Sequence, residues 1–267
     1  MTKYNIYIIC KNEDIFNTKK EELLSQHKSK ICHVQWVPAE YLKLTQCNKR
    51  ILKDLNTRYN TQKNKVLAKL GCIAAHRKAL LAVYMNKTNN NIILEEDSNL
   101  SNGLPTPPLK SCYMGGWIVP PQTSNAGKII PKMSPNYGLN EINYKKFKIL
   151  MTHALFIKTF KEAIDLFQTT INDKLKNYDI HLGDQEFFKK FYYPPIFVQG
   201  SHVSDIEGVV NQNDKNSFNY GLNPKKKKSK SKKKSKGNRK KKSQSNRKKK
   251  SQSNRKKKSQ SNRKKKS

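Results

Sequence analysis

The sequence predicts an α/β fold: a mostly parallel sheet whose strands are joined by crossover helices, followed by a basic tail that adds nothing to the core. Three observations carry that prediction. Short apolar runs alternate with helically spaced segments over about the first hundred residues, the arrangement that builds parallel sheets. One of those runs, Ile92-Ile93-Leu94, stops abruptly at Glu95-Glu96-Asp97, as a buried strand does where it leaves the core. Near residue 224 the composition changes, and beyond it neither an acidic residue nor an apolar side chain occurs.

In chain order, Tyr4 to Cys10 reads as a strand, a helix follows near Asn17 to Gln26, and Cys32 to Val37 is the second strand. From about Lys65 to Met85 the apolar residues take helical spacing. Val66, Leu70, Ile73, Leu80 and Tyr84 form one stripe, with Leu67, Ala74 and Leu81 beside it and Arg77 interrupting it. That helix leads through an Asn run into the acidic strand. Beyond it the order loosens into a Pro-rich loop from Leu104 to Leu109, a strand at Gly116 to Val119 and a long polar loop through about Asn143. A strand at Leu150 to Ile157 and a helix to about Phe167 follow. Long loops in a compact domain are more often functional than mere connectors.

The first part, residues 1–223, is long enough for one α/β domain with a large core. The second, 224–267, is not a domain of that kind. Of 55 Lys and Arg, 25 lie between Lys225 and Ser267, so the tail carries 25 of the 36 net positive charges. Four copies of Asn-Arg-Lys-Lys-Lys-Ser begin at Asn238, Asn246, Asn254 and Asn262. Self-repulsion and the lack of anything to bury predict disorder there. Such a tail binds polyanions, nucleic acid or anionic membrane, through counterion release, and its lack of aromatics argues against sequence reading of single strands. Nuclear targeting by Lys225 to Lys228 and membrane-surface association through the tail are further readings.

Five cysteines, Cys10, Cys32, Cys47, Cys72 and Cys112, are odd in number and show no paired metal spacing. They read as reduced thiols and point to a cytoplasmic location, with a secretory lumen left open. No twenty-residue apolar span occurs, so no transmembrane segment is expected, and the opening run is too short for a secretory leader.

The chemistry starts at the acids. Three adjacent carboxylates repel one another, and a divalent cation among them lowers the cost; oxygen ligands favour Mn or Mg. Glu95 and Asp97, one residue apart, suit a cation that also holds a diphosphate, and the other reading is a solvated acidic loop. About twenty residues upstream stands Gly71-Cys72-Ile73-Ala74-Ala75-His76 on the long helix. Here the chain resembles glycosyltransferase family 25, the lipooligosaccharide and procollagen galactosyltransferases. Its pattern is Gly-Cys-x-x-Ser-His on a helix and then a strand ending Leu-Glu-Asp-Asp. Ala75 stands in place of the Ser, and Glu96 in place of the middle acid. Two further segments are similar to that family: Met151-Thr152-His153-Ala154-Leu155-Phe156-Ile157, and Pro194-Pro195-Ile196-Phe197-Val198-Gln199 with Ser204-Asp205-Ile206. At the amino end the family's Asn-Leu and arginines are missing, with Lys19 and Lys20 nearby instead.

The resemblance implies a GT-A-like, nucleotide-sugar-binding domain and a metal-dependent, inverting hexosyltransferase. The donor would be a UDP-sugar such as UDP-galactose, and the acceptor a hydroxyl of a glycan or protein, as in lipopolysaccharide biosynthesis. It implies Asp97 as direct metal ligand and Glu95 as holder of metal-bound water or the ribose. Ile9, Cys10 and His76 would border the donor, and His202 would complete the metal shell. His76 is equally a structural histidine, and His202 a loop histidine without a role. Inversion requires a base, and Asp184 in Leu182-Gly183-Asp184 is the candidate, its rival role being a helix N-cap. Asp205 is a further candidate, at the metal or the acceptor. Trp117 could stack on a sugar or simply fill a strand. The alternative function is a catalytically inactive glycosyltransferase-like domain that binds polyanions through its tail.

Overall fold

The computed structural model describes residues 2–41, 63–119, 136–150, 152–171, 177–200, 202–203 and 210–211. Strand β1 (Tyr4–Cys10) is buried almost throughout, as a strand covered on both faces must be. Helix α1 (Glu13–His27) begins earlier than the apolar spacing predicts. Asn12 Oδ1 accepts a hydrogen bond from the Ile15 amide at 3.0 Å, and Glu13 and Asp14 occupy the first turn, where the helix dipole favours acids. Strand β2 (Ile31–Pro38) follows, then α2 (Lys63–Met85) and β3 (Asn91–Glu95).

The later elements are shorter: β4 (Ser98–Leu100), β5 (Cys112–Tyr113), β6 (Trp117–Val119), β7 (Gly138–Glu141), β8 (Lys148–Leu150) and β9 (Ala154–Ile157). After them come α3 (Phe160–Ile171), α4 (Tyr178–Gln185), β10 (Lys190–Tyr193), β11 (Phe197–Gln199), β12 (His202–Val203) and β13 (Val210–Asn211). The strand predicted over Leu150 to Ile157 is thus two strands, with Thr152 and His153 between them. That break matters for the site.

The main sheet has seven strands in the order β2-β1-β3-β9-β5-β10-β7. β2, β1, β3, β5 and β10 point one way, while β9 and β7 run against them. The predicted mixed α/β architecture with a largely parallel sheet is present, with its regular part confined to β1 through β3. Pairs β4–β11, β6–β8 and β12–β13 are small antiparallel additions.

Strand alternation assigns each face its helix. Ile6, Ile8, Ile92 and Leu94 pack with Phe16 and Leu23 of α1, whereas Tyr7, Ile9 and Ile93 pack with Ile73, Leu80 and Val83 of α2. The two first helices therefore cover opposite faces. Two residues fix α2 in place. A β-carbon built on Gly71 would lie 2.1 Å from the Glu40 carbonyl oxygen, so only glycine lets the helix cross that backbone. Arg77, the one charge in the apolar stripe, donates from Nε to Thr170 Oγ1 at 2.9 Å and from Nη2 to the Thr170 carbonyl, at the last turn of α3.

Among the described residues no helix is long and apolar enough to cross a membrane. Residues 224–267, the predicted domain boundary, Cys47 and Asp205 all lie outside the described residues.

Candidate functional site

The chain reverses direction across the sheet at β1. β2 lies on one side of it and β3 on the other, with α1 and α2 on opposite faces. In open α/β sheets the crevice beyond the carboxyl ends of such neighbouring strands is where ligands bind. Glu95 ends β3 there, opposite Ile9 in register.

Because side chains alternate, Glu95 shares the face of Ile93 and turns toward α2. It meets His76, joined to Glu95 Oε1 by a hydrogen bond of 2.9 Å. The Thr152 hydroxyl donates to the same oxygen at 2.8 Å, from the break between β8 and β9. His76 is buried, and its ring stacks on Tyr178, the first residue of α4, with centroids 4.3 Å apart. Burial pushes the Glu95 carboxyl up, yet the hydrogen bond and charge of His76, the Thr152 hydroxyl and His153 outweigh it and hold the group below its ordinary range. Cys72, one helical turn before His76, is pushed well up by burial, and then by the negative charge of Glu95, Asp179 and Asp97.

The other two acids go elsewhere. Glu96 Oε2 accepts from the Lys11 amide at 3.0 Å, and the Lys11 ammonium stands 3.4 Å from Oε1. Asp97 Oδ2 accepts from Gln199 Nε2 at 2.9 Å, across 102 residues of sequence, and its carbonyl accepts from the Gly200 amide. A β-carbon on Gly200 would stand 2.5 Å from Asn99 Nδ2 and 3.2 Å from the Asp97 carbonyl oxygen, so a side chain there would displace the Asn99 amide. The repulsion expected of three adjacent carboxylates is relieved by a separate protein partner at each one.

A divalent cation, which the family resemblance implies, would draw on oxygens at and just beyond the end of β3. Glu95 and Asp97 offer carboxylate oxygens. Beside Asp97 the buried Gln199 Oε1 has no hydrogen-bond partner among the described residues, and a hard cation or its water satisfies such an oxygen. A second donor set overlaps the first. Cys72, His76 and Glu95 each present one ligand atom, all within 4.8 Å of one another.

The remaining predicted residues fall as follows. The side chains of Ile9 and Cys10 are core, and the Cys10 carbonyl already accepts from Trp36 Nε1 and the Ala39 amide. Burial, followed by the charge of Glu96, pushes the Cys10 thiol up to about 11. Lys19 donates to the Ser98 carbonyl and Asn99 Oδ1, so it braces β4 just after the acids, while Lys20 lies over the Phe16 ring. Ala75, where the family has Ser, is buried in the core. Asp184 is not a helix N-cap. It occupies the last turn of α4, ion-paired with Lys148 at 2.5 Å, six residues or about 9 Å of helix rise beyond Tyr178. His202 lies in β12, and its side chain, like that of Trp117, is outside the described residues.

No family model matches the chain, and no curated protein matches it. Among solved structures it is similar to a UTP-bound UGPase from Acinetobacter baumannii, at 11% identity over 72% of this chain and 86% of that one, with a TM-score of 0.35. A likeness of that strength carries no argument about activity.

Residue type alone does not mark Thr152, Gln199 or Tyr178. Thr152 and Gln199 stand within segments the family resemblance marks, which was the available signal. Tyr178 had none, because its place depends on a helix that the sequence does not announce.

Proposed function

We propose that the chain is a metal-dependent, inverting glycosyltransferase similar to family 25, moving a sugar from a UDP-sugar to a hydroxyl of a glycan or protein. One observation supports the reading above all. The segments that carry the family resemblance, scattered from residue 71 to residue 199, meet at the carboxyl end of β3. His76 and Thr152 converge on Glu95, and Gln199 converges on Asp97. Strand pairing brings these segments together, with Ala154 opposite Leu94 and Gln199 opposite Ser98, and a shared site at that strand end is what the proposed reading requires.

In this reading Asp97, Glu95 and the Gln199 amide oxygen hold the cation, which neutralises the diphosphate that leaves with the nucleotide. His76 and Thr152 fix the Glu95 carboxylate so that it need not reorganise when the donor binds. The Asp184 carboxylate takes the acceptor hydroxyl proton, and its ion pair with Lys148 keeps it oriented until the acceptor arrives. The long loops of the second half border the acceptor.

The test is a donor screen on the full chain, measuring nucleotide release from several UDP- and GDP-sugars with and without Mn. Mn-dependent release from a UDP-sugar is expected. Silence with every donor, together with no nucleotide binding, overturns the reading and favours an inactive body that serves the polyanion-binding tail.

A further inference from the structure

Cys72 has no part in the reading above, yet its position is specific. Cys72 and His76 stand four residues apart on α2, so their side chains leave one face of the helix, and Glu95 approaches that face from the strand end. Sulfur, imidazole nitrogen and carboxylate oxygen lie within 4.8 Å of one another. In a tetrahedral zinc site, bonds of about 2.0–2.3 Å put neighbouring ligand atoms roughly 3.3–3.8 Å apart. The trio brackets that spacing: His76 Nε2 and Glu95 Oε1, at 2.9 Å, would open slightly around an ion, and no pair is more than about 1 Å too far apart.

A second observation points to a ligand. His76 is 1% exposed and its ring plane is set by the stack on Tyr178, yet its Nδ1 has no hydrogen-bond partner among the described residues. It is Nε2 that faces Glu95, so an ion shared by the trio is taken by Nε2 in place of its hydrogen bond to Glu95, and Nδ1 is left for the outer-shell partner that a metal-bound histidine takes. The surroundings favour a cation, since the carboxylates of Glu95, Asp179 and Asp97 all bear on Cys72.

We propose that Cys72, His76 and Glu95 form a binding site for a thiophilic divalent ion of the zinc class, distinct in chemistry from the hard cation of the glycosyl-transfer reading. A thiolate ligand selects Zn over Mg or Mn, and three protein ligands leave a fourth position open to water or substrate. Glu95 belongs to both donor sets, so the soft ion acts on the same strand end. The site does not depend on the chain transferring sugar.

Cobalt is the probe. The metal-free full chain, held reduced, is titrated with Co2+ while the thiolate-to-cobalt charge-transfer band and the visible bands of tetrahedral cobalt are followed. One cobalt per chain with a thiolate band is expected, unchanged in Cys32→Ser, bleached by Zn2+ and lost in Cys72→Ser. Loss of a mere outer-shell partner costs roughly 10–100-fold in metal affinity, so His76→Ala should weaken cobalt binding by at least that factor. A wild-type chain without the band overturns the proposal, as does a band that survives Cys72→Ser. Should Cys72→Ser fail to fold, cadmium-113 resonance of the wild-type chain decides the matter: a shift for one sulfur ligand supports the site, and a shift for none or for several overturns it. These readouts are independent of turnover. A silent donor screen would remove the glycosyl-transfer reading and leave the cobalt band standing.

Discussion

Glu95 and Asp184 are almost equally exposed, with side chains at 27% and 28%, and they live in different company. Glu95 is met by an imidazole and a hydroxyl brought from residues 76 and 152, while Asp184 meets a lysine on a neighbouring strand. Side-chain exposure alone would rank them together, although as whole residues Asp184 is exposed and Glu95 half-buried. The partners separate them: Glu95 is gripped by an imidazole and a hydroxyl from distant segments, as the proposed metal ligand would need, and Asp184 stands in an ion pair at a helix end, where the proposed base would meet an acceptor from outside.

That contrast can be broken most sharply at Asp184. Asp184→Asn should lower turnover by roughly 10²–10⁴-fold while donor affinity stays the same, because a base acts only on the acceptor. Steady-state kinetics that show full turnover would return Asp184 to a helix-end ion pair. Asp97→Asn should lower Mn-dependent nucleotide release by on the order of 10²–10³-fold and weaken UDP binding as well, the mark of a group that holds the donor. Titration of UDP by calorimetry with and without Mn checks it, and equal binding in variant and wild type removes Asp97 from the metal site. Thr152→Val tests the grip on Glu95 itself. Losing one hydrogen bond should cost about 1 kcal/mol, or a melting point lower by about 2–4 °C, with the fold intact. The smallest effect is expected of Glu96→Gln, whose partner Lys11 lies in an exposed ion pair; stability should change by less than about 1 kcal/mol and nucleotide release hardly at all. A large loss there would mean that all three acids act as one cluster, and the division among separate partners would be wrong.

How much of this could be read beforehand depended on how strongly each segment was constrained. β1 and β3 are sandwiched between helices, so nearly every residue had to be apolar, and the runs Tyr4 to Cys10 and Ile92 to Leu94 announced them. α2 announced itself by its stripe. Even Arg77, an apparent flaw in that stripe, proved to be the residue that ties α2 to α3. β7, Gly-Leu-Asn-Glu at the sheet edge, carries no pattern because an edge strand with one neighbour needs none. α4 is eight residues long with a glycine inside it, and only Tyr178, His181, Leu182 and Gly183 are buried. A helix so short leaves little periodicity to detect, which is why Asp184 looked like the start of a helix and is near its end. At the site, His76, Glu95 and Asp97 were legible as chemistry-bearing residues. That His76 would choose Glu95, and Gln199 would choose Asp97, belongs to the tertiary fold and could not be read from spacing.

Gly71 contributes no functional group, yet it controls the dimensions of everything beyond it on the helix. A single methyl group at that position would press on the Glu40 carbonyl and lift the helix away from the sheet. Cys72 and His76, rigidly attached within the next turn and a half, would be carried with it. In a screen for lost activity Gly71→Ala would thus be indistinguishable from damage to a catalytic group, although nothing it touches takes part in the chemistry. The missing side chain works as a gauge, setting how near the helix may come to the strand end and so whether Glu95 has a histidine to hold.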